Sequence, residues 1–512
     1  LPLIVKFPPS GHVTAFRAVT GQAVDNDLSN LDGSSRAKKR IGKMLDSMVL
    51  RQLGGRTATR TLNWRKPLIR AAFALKNPGT LAELDLIQSI ERSAPESIQA
   101  VQQARLEQLL HHAWSQTDYY REVLEQCGVV QDGRINLDRF ENIPFLTKDI
   151  IRTQGDRLCA RKLPRGRKAY SNLSGGSTGT PIRFMQDSGY WDVTIATRSY
   201  HFSFAGKELG EREMKIWGSE RDILQGTLGL RASLENWLYN RKFEQCFKLP
   251  EQQIRKIIRD INTWQPKLLW CYRDGIDAVA RYATEHDIEL HSPAAILLGG
   301  ATVYPFLAKQ IERAFHCPVL SAYGSRELGA VACQCIRGQG HHIASQAHVL
   351  ETINVAEEPM MEQDGELVVT PLLNYAMPMI RYRVGDRGRL TRRLCSCGRN
   401  FPLLESLTGR MIEVLINSKG EQVDPIYFMM LLSEVFANSP VRKSQVIQEK
   451  DRSITMNLAL DKGATLNPSN PLLVAARKKV AAVMGTDCRV RFEFVADIAL
   501  TASGKFPYVL RR

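Results

Sequence analysis

The sequence has no stretch approaching the ~18 consecutive apolar residues of a membrane-spanning helix, so an integral helical membrane protein is not expected. Its opening, LPLIVKFPPS, is too short for a secretory core and has no small-residue cleavage site. No signal peptide is read there, and a cytoplasmic location is expected. The chain begins at Leu1, not Met. Cysteine is sparse: ten in 512 residues, too few for a disulfide scaffold. Six are scattered singly and four form two Cys-x-Cys pairs, which suits a reducing cytosol where paired thiols hold metal. Acidic residues are nearly missing from one region. Between Arg36 and Lys76 stand twelve basic residues and a single acid, Asp46, so this segment supplies +11 of the formal +16. Elsewhere the composition is ordinary, 44% hydrophobic and 24% charged, which excludes a disordered or fibrous chain.

Three regions follow from the pattern. Residues 1–97 read as a basic extension, partly helical, with Ile41, Met44, Leu45, Met48 and Val49 at helical spacing. Such a helix could lie on an anionic membrane or pack on the body with a solvated basic face. The packed reading is favoured, with peripheral membrane contact through 36–76 left open. Trp64 and Phe73 are the only interleaved aromatics, so no nucleic-acid partner is expected.

Residues 98–408 alternate helical text (101–110, 251–261, 275–286) with short apolar runs (294–298, 367–372), the signature of an α/β core. Residues 409–512 read strand, turn, strand, helix, strand, helix, strand, with the turn at Asn417-Ser418-Lys419-Gly420 and helices over 426–436 and 472–484. The expected class is α/β, a large domain of mixed sheets and helices plus a small α+β C-terminal domain.

The most informative segment is Ser174-Gly175-Gly176-Ser177-Thr178-Gly179-Thr180-Pro181, seven of whose eight residues are Gly, Ser or Thr. Glycines let backbone amides approach an anion and hydroxyls add donors. Its extended flanks make it a loop between strands. No Lys follows Gly179, so the Walker pattern fails, and GxGxxG fails as well. A P-loop GTPase or a dinucleotide-binding enzyme is disfavoured.

Five further segments follow in order. They are Leu298-Gly299-Gly300-Ala301-Thr302, Ala322-Tyr323-Gly324-Ser325-Arg326-Glu327, Arg381-Tyr382-Arg383-Val384-Gly385-Asp386, Gly409-Arg410, and Thr501-Ala502-Ser503-Gly504-Lys505. Together with the glycine-rich loop they resemble the adenylate-forming acyl-CoA synthetases over residues 98–512. The likeness is greatest to the phenylacetate-CoA ligase branch, including its relatives in capsule and exopolysaccharide biosynthesis. The sequence departs from that pattern at Val384, Thr302, Ala499 and Ile412-Glu413, none of which removes Glu327, Asp386 or Lys505.

The resemblance implies ATP-dependent activation of a small-molecule carboxylic acid to an acyl-adenylate, followed by transfer to coenzyme A, with an aryl or arylacetyl acid plausible. Ser177, Thr178 and the loop amides from Ser174 to Gly179 would hold the β- and γ-phosphates. Gly300, Ala301, Tyr323, Gly324 and Ser325 would border the nucleotide, and Tyr323 would stack on or flank adenine. Glu327 would ligate Mg²⁺. Asp386 would accept from the ribose hydroxyls, with Arg410 beside it. Lys505 would pair with the carboxylate and α-phosphate. The family's small domain turns between two orientations, a rotation the 410–413 turn would permit. Trp217, Trp270, Tyr272 and Tyr323 fall near pocket-like segments. A homodimer is left open.

Cys333-Gln334-Cys335, His341-His342 and Cys395-Ser396-Cys397 supply enough soft ligands for a tetrahedral zinc. By the same likeness the expected ligands are Cys335, His342, Cys395 and Cys397, with Cys333 and His341 as spares, in a closed structural site. Two rivals remain at this stage. One is an adenylating enzyme that passes the acyl group to a carrier-protein thiol, an amine or a sugar hydroxyl. The other is a zinc-containing protein that binds nucleic acid or membrane.

Overall fold

Continuous apolar runs become strands covered on both faces, and alternating ones become strands with one working face. In the computed structural model, Ala295–Gly299 (AILLG) is buried at every position. It lies inside an eleven-stranded sheet. The model describes residues 63–174, 182–217, 230–246, 249–300, 303, 305–410, 415–423, 427–428, 431–432, 435–436, 439–461, 463–499 and 508–512.

One half of the sheet is parallel, in the order Val319–Ser325, Ala295–Gly299, Leu268–Tyr272, Glu213–Trp217, Arg241–Gln245. The other half is antiparallel and runs from Val319–Ser325 through Gly329–Gln334, His341–Ile343, Leu403–Arg410, Tyr382–Thr391 and Gly365–Pro371 to His348–Ile353. Both expected apolar strands are present, as Ala295–Gly299 and Gly365–Pro371. The expected helices are present as Pro95–Gln116, Glu251–Trp264 and Arg273–Glu285.

Three helices cover one face of the parallel half, Glu251–Trp264, Arg273–Glu285 and Pro305–Phe315, the last through Ile311 and Phe315. Ile257, Ile261, Ile276 and Val279 pack on Met214, Ile216, Leu269, Cys271, Ile296 and Leu298. On the opposite face Leu84, Ile87, Tyr200 and Phe204 meet Leu268, Ala295, Leu297 and Leu320. Leu84 and Ile87 belong to the helix Pro78–Ile90, which begins where Pro78 takes the first helical turn after Asn77. The packing of the large domain therefore starts before residue 98, and Trp64 through Arg512 belong to one compact unit. The helical spacing over 41–49 lies outside the described residues.

The C-terminal region forms a four-stranded sheet in the order Val490–Phe494, Ile454–Leu460, Val441–Gln448, Val509–Arg511. The helix Pro471–Met484 packs on it through Leu473, Val480 and Met484. The Asn417–Gly420 turn is present: Asn417 Oδ1 accepts from the Lys419 and Glu421 amides, and Gly420 has φ +86°. The structure holds one more hairpin than the sequence reading, between Val441–Gln448 and Ile454–Leu460. Its turn uses Arg452 at φ +62°, braced by Asp451 accepting from Ser453 N and Oγ. With no glycine or proline there, the turn carried no sequence signal. The domain touches the body where the Arg273 guanidinium lies 4.9 Å from the Tyr508 ring centroid.

The buried carboxylate of Asp187 fastens three pieces. Its Oδ1 caps the helix Ser188–Phe204 by accepting from Gly189 N (2.9 Å) and Tyr190 N (3.1 Å). Arg167 donates to the same oxygen (2.9 Å), and Tyr375 N donates to Oδ2 (2.7 Å). Removing this acceptor strands buried donors and a cation. Asp187→Ala is therefore expected to lower unfolding free energy by about 3–5 kcal/mol in urea titration, well beyond a simple lost cap.

Candidate active site and metal centre

The glycine-rich segment joins two paired strands. Ala169–Leu173 and Arg183–Asp187 pair antiparallel, Leu173 opposite Arg183. The pairing extends to Ser174, whose amide donates to Ile182 O (2.9 Å) and whose Oγ accepts from Ile182 N (2.9 Å). Gly175, Gly176, Ser177, Thr178 and Gly179 lie outside the described residues. The base of the hairpin is anchored to the next motif. Gln186 is buried, and its Nε2 donates to Arg326 O (2.8 Å) and Glu327 O (3.3 Å).

That motif is the turn joining Val319–Ser325 to Gly329–Gln334. Ser325 Oγ accepts from Leu328 N (3.2 Å). Gly324 is required by crowding, since a Cβ there would meet Gly329 O at 2.1 Å. Glu327 is buried and makes no ion pair or side-chain hydrogen bond among the described residues. Its neighbour Tyr190 has a buried hydroxyl without a partner among the described residues. Burial first, then the charges nearby (Glu327 and Asp187 among them), hold that phenol protonated far above its usual range.

The third component is a pair. Tyr323 Oη donates to Asp386 Oδ2 at 3.0 Å. Asp386 stands opposite Arg410 in the register of Tyr382–Thr391 with Leu403–Arg410. The side chain of Arg410 lies outside the described residues, as do Ala301 and Lys505. The fourth component is Gly300, at φ +82°, where a Cβ would strike Tyr272 Cε1 at 2.2 Å. Tyr272 stacks on Trp217 with centroids 4.0 Å apart. Gly300, Tyr323, Gly324, Ser325 and Glu327 thus lie at the ends of neighbouring strands, and the Tyr323 hydrogen bond links them to Asp386, midway along a more distant strand of the same sheet. The sequence reading missed Gln186, whose role depends on a contact 141 residues away that no local pattern encodes.

The metal candidates separate cleanly. Cys335, His342, Cys395 and Cys397 bring their ligand atoms within 4.8 Å of one another. Cys335 Sγ and Cys395 Sγ are 3.7 Å apart, and Cys397 Sγ lies 3.4 Å from His342 Nε2. A tetrahedron with Zn–S near ~2.3 Å and Zn–N near ~2.0 Å has edges of about 3.8 and 3.5 Å, so the donors fit one ion. The spares stand aside: Cys333 Sγ donates to Gln334 O (3.4 Å), and His341 is the strand neighbour of His342, with its side chain on the other face.

Burial, with Arg399 adding to it, pulls His342 down to about 4, which keeps a nitrogen lone pair available at neutral pH. Burial likewise pushes the Cys395 thiol up to about 12. At Cys397 the upward pull of burial is overcome by hydrogen bonds from Arg399, and the thiol lies below its usual range. Arg399 is held by Glu91 (2.9 Å), which also accepts from Tyr200 Oη (2.7 Å).

Known proteins share this organisation. The CapK C-terminal domain family matches residues 415–512. Protein CapK of Staphylococcus aureus is 24% identical over 416 residues, 79% of this chain and 87% of that protein. The phenylacetate-coenzyme A ligase of Thermus thermophilus is 26% identical over 344 residues, 66% of this chain and 75% of that protein. Among solved structures, 2-hydroxyisobutyryl-CoA ligase in its postadenylation state superposes with a TM-score of 0.65 at 19% identity, covering 82% of this chain and 90% of that one. It has the same fold. In sequence the chain is similar to CapK and to phenylacetate-coenzyme A ligases, and its fold is that of an adenylate-forming CoA ligase.

Proposed function

We propose that this chain activates a carboxylic acid with ATP, releasing pyrophosphate to give an acyl-adenylate, and then passes the acyl group to the thiol of coenzyme A, releasing AMP. The observation that carries this reading is the tie between the base of the glycine-rich hairpin and the Glu327 turn through Gln186, together with the Tyr323–Asp386 hydrogen bond.

A carboxylate is a weak nucleophile and the triphosphate repels it, so the site must place positive charge and donors where negative charge gathers. The amides and hydroxyls of 174–179 would hold the β- and γ-phosphates. Glu327, buried and without an ion pair among the described residues, would hold Mg²⁺, which neutralises phosphate charge when bound. Asp386 would accept from the ribose hydroxyls, oriented by Tyr323, with Arg410 opposite it in register. Lys505 would bridge the acid and the α-phosphate. The phenylacetate-coenzyme A ligase relatives support the thioester product.

Cys335, His342, Cys395 and Cys397 would hold a structural zinc. Four protein ligands leave no open position for catalysis. The ion would pin the strand that follows the Glu327 turn to the loop between the two strands carrying Asp386 and Arg410.

Three outcomes are expected. Lys505→Ala should cut acid-dependent ATP–pyrophosphate exchange by about a thousandfold while leaving the melting temperature unchanged; normal exchange would refute the assignment. Asp386→Ala should raise KM for ATP about tenfold or more, with a smaller change in kcat. Metal analysis of protein purified without chelator should find one zinc per chain. That zinc should be lost in Cys395→Ala together with a lower melting temperature, and a zinc ratio near zero in the unaltered protein would remove the site.

A further inference from the structure

The helix Arg65–Lys76 is apolar on two opposite sides. Its sequence, RKPLIRAAFALK, turns Ile69 and Phe73 onto the body, where both are buried. Phe73 meets Tyr239 there, with ring centroids 5.9 Å apart. At ~100° per residue, Trp64, Pro67, Ala71, Ala74 and Leu75 fall within an arc of about 100° on the far side. All five are exposed, Trp64 by 45% and Leu75 by 70%. A helix on a protein surface ordinarily turns polar residues to water, whereas this one turns an apolar stripe about 16 Å long. A second helix widens it. Leu230–Leu238 exposes Leu234 and Trp237, which lie one turn apart. The ring centroids of Trp64 and Trp237 are 6.0 Å apart. Arg65 joins them: its Nε donates to Trp237 O (3.4 Å), and its guanidinium carbon lies 4.3 Å from the Trp64 ring centroid.

The charge beside the stripe has one sign. Arg65, Lys66, Arg70 and Lys76 are the only charged residues of their helix. Helical spacing puts Arg65 and Lys76 on one flank of the stripe and Lys66 and Arg70 on the other. Lys66 meets Glu208 (2.7 Å) and Arg70 meets Asp85 (3.0 Å), both at solvent-exposed positions where an ion pair contributes little and is readily exchanged. In the sequence, eight basic residues between Arg36 and Arg60, against the single acid Asp46, come shortly before the stripe. A partner that offered only negative charge would leave the apolar stripe in water. A two-fold contact with a second copy would set the same four cations against one another. An anionic lipid surface satisfies both features, since its acyl boundary takes up apolar side chains while its headgroups attract lysine and arginine.

We infer that the outward stripe of Arg65–Lys76, with Leu234 and Trp237 beside it, docks this protein on an anionic membrane surface. Trp64, Leu75, Leu234 and Trp237 enter the boundary between headgroups and acyl chains, the depth at which tryptophan is favoured. Arg65, Lys66, Arg70 and Lys76 stay at headgroup level, and the basic residues from 36 to 60 add long-range attraction. The contact is peripheral and reversible, and it does not depend on the proposed acid activation.

The test is co-sedimentation of the full chain with vesicles of phosphatidylcholine alone and of phosphatidylcholine mixed with phosphatidylserine. A second readout is quenching of tryptophan emission by brominated acyl chains in the same vesicles. The mixed vesicles are expected to bind at least about tenfold more tightly, with quenching on binding. Trp64→Ala/Trp237→Ala should weaken that binding about tenfold or more and remove most of the quenching, in a protein that still melts cooperatively. Leu75→Ser, which keeps both tryptophans, should weaken binding in the same direction and serves if the double variant fails to fold. Absence of binding to the mixed vesicles, equal affinity for the two vesicle types, or binding without acyl-chain quenching overturns the inference. Undiminished affinity in the folded variants overturns it too, assigning the attraction to the basic residues alone. A dimer that the tryptophan substitutions dissociate, in a protein that ignores vesicles, overturns it in favour of a second copy.

Discussion

Two adjacent side chains at the end of one hairpin strand hold the site together. Gln186 and Asp187 both carry buried polar groups at the base of the glycine-rich hairpin. Gln186 grips the backbone of Arg326 and Glu327, while Asp187 caps the helix Ser188–Phe204 and accepts from the 375–376 backbone. Buried amides and carboxylates are stable only when fully partnered, so this pair tolerates one arrangement of hairpin, helix and turn. The glycine-rich segment proposed to bind phosphate joins the two strands held by that constraint.

The candidate metal cluster would play a parallel role at the other end of the helix Ser188–Phe204, where the His342 and Phe204 ring centroids are 5.4 Å apart. Its four ligands come from the end of Gly329–Gln334, from His341–Ile343, and from the loop between Tyr382–Thr391 and Leu403–Arg410. These are the strands that carry Asp386 and Arg410. A closed ion there would set the spacing between the Glu327 turn and the ribose-facing strands without taking part in the chemistry. Glu91 ties this cluster to the helices before residue 98 through Arg399 and Tyr200, so that helical segment also supports the site.

Much of this was legible in the sequence because it is local. The Gly/Ser/Thr run marked a loop between strands, and the structure places Ser174 at the mouth of a hairpin. The apolar run 294–298 read as a buried strand, and Ala295–Gly299 is one. The zinc ligand set resisted spacing alone, since Cys333 and His341 are as close in sequence as Cys335 and His342. The resemblance pointed to the four that converge. What escaped was non-local or conformational. The Gln186 anchor and the Asp187 fastening depend on residues far along the chain. The Arg452 turn uses a left-handed residue without glycine, and the Arg65–Ile90 helices looked like an extension because their apolar face is hidden only by the fold.

The central claim is that the hairpin base positions the phosphate loop against Glu327. Gln186→Leu breaks that tie while keeping the side chain's bulk. The most direct measurement is KM for ATP·Mg²⁺ in acid-dependent pyrophosphate exchange, together with the thermal melt. The account predicts that KM rises about tenfold or more with the fold retained. An unchanged KM in a folded Gln186→Leu protein would contradict it.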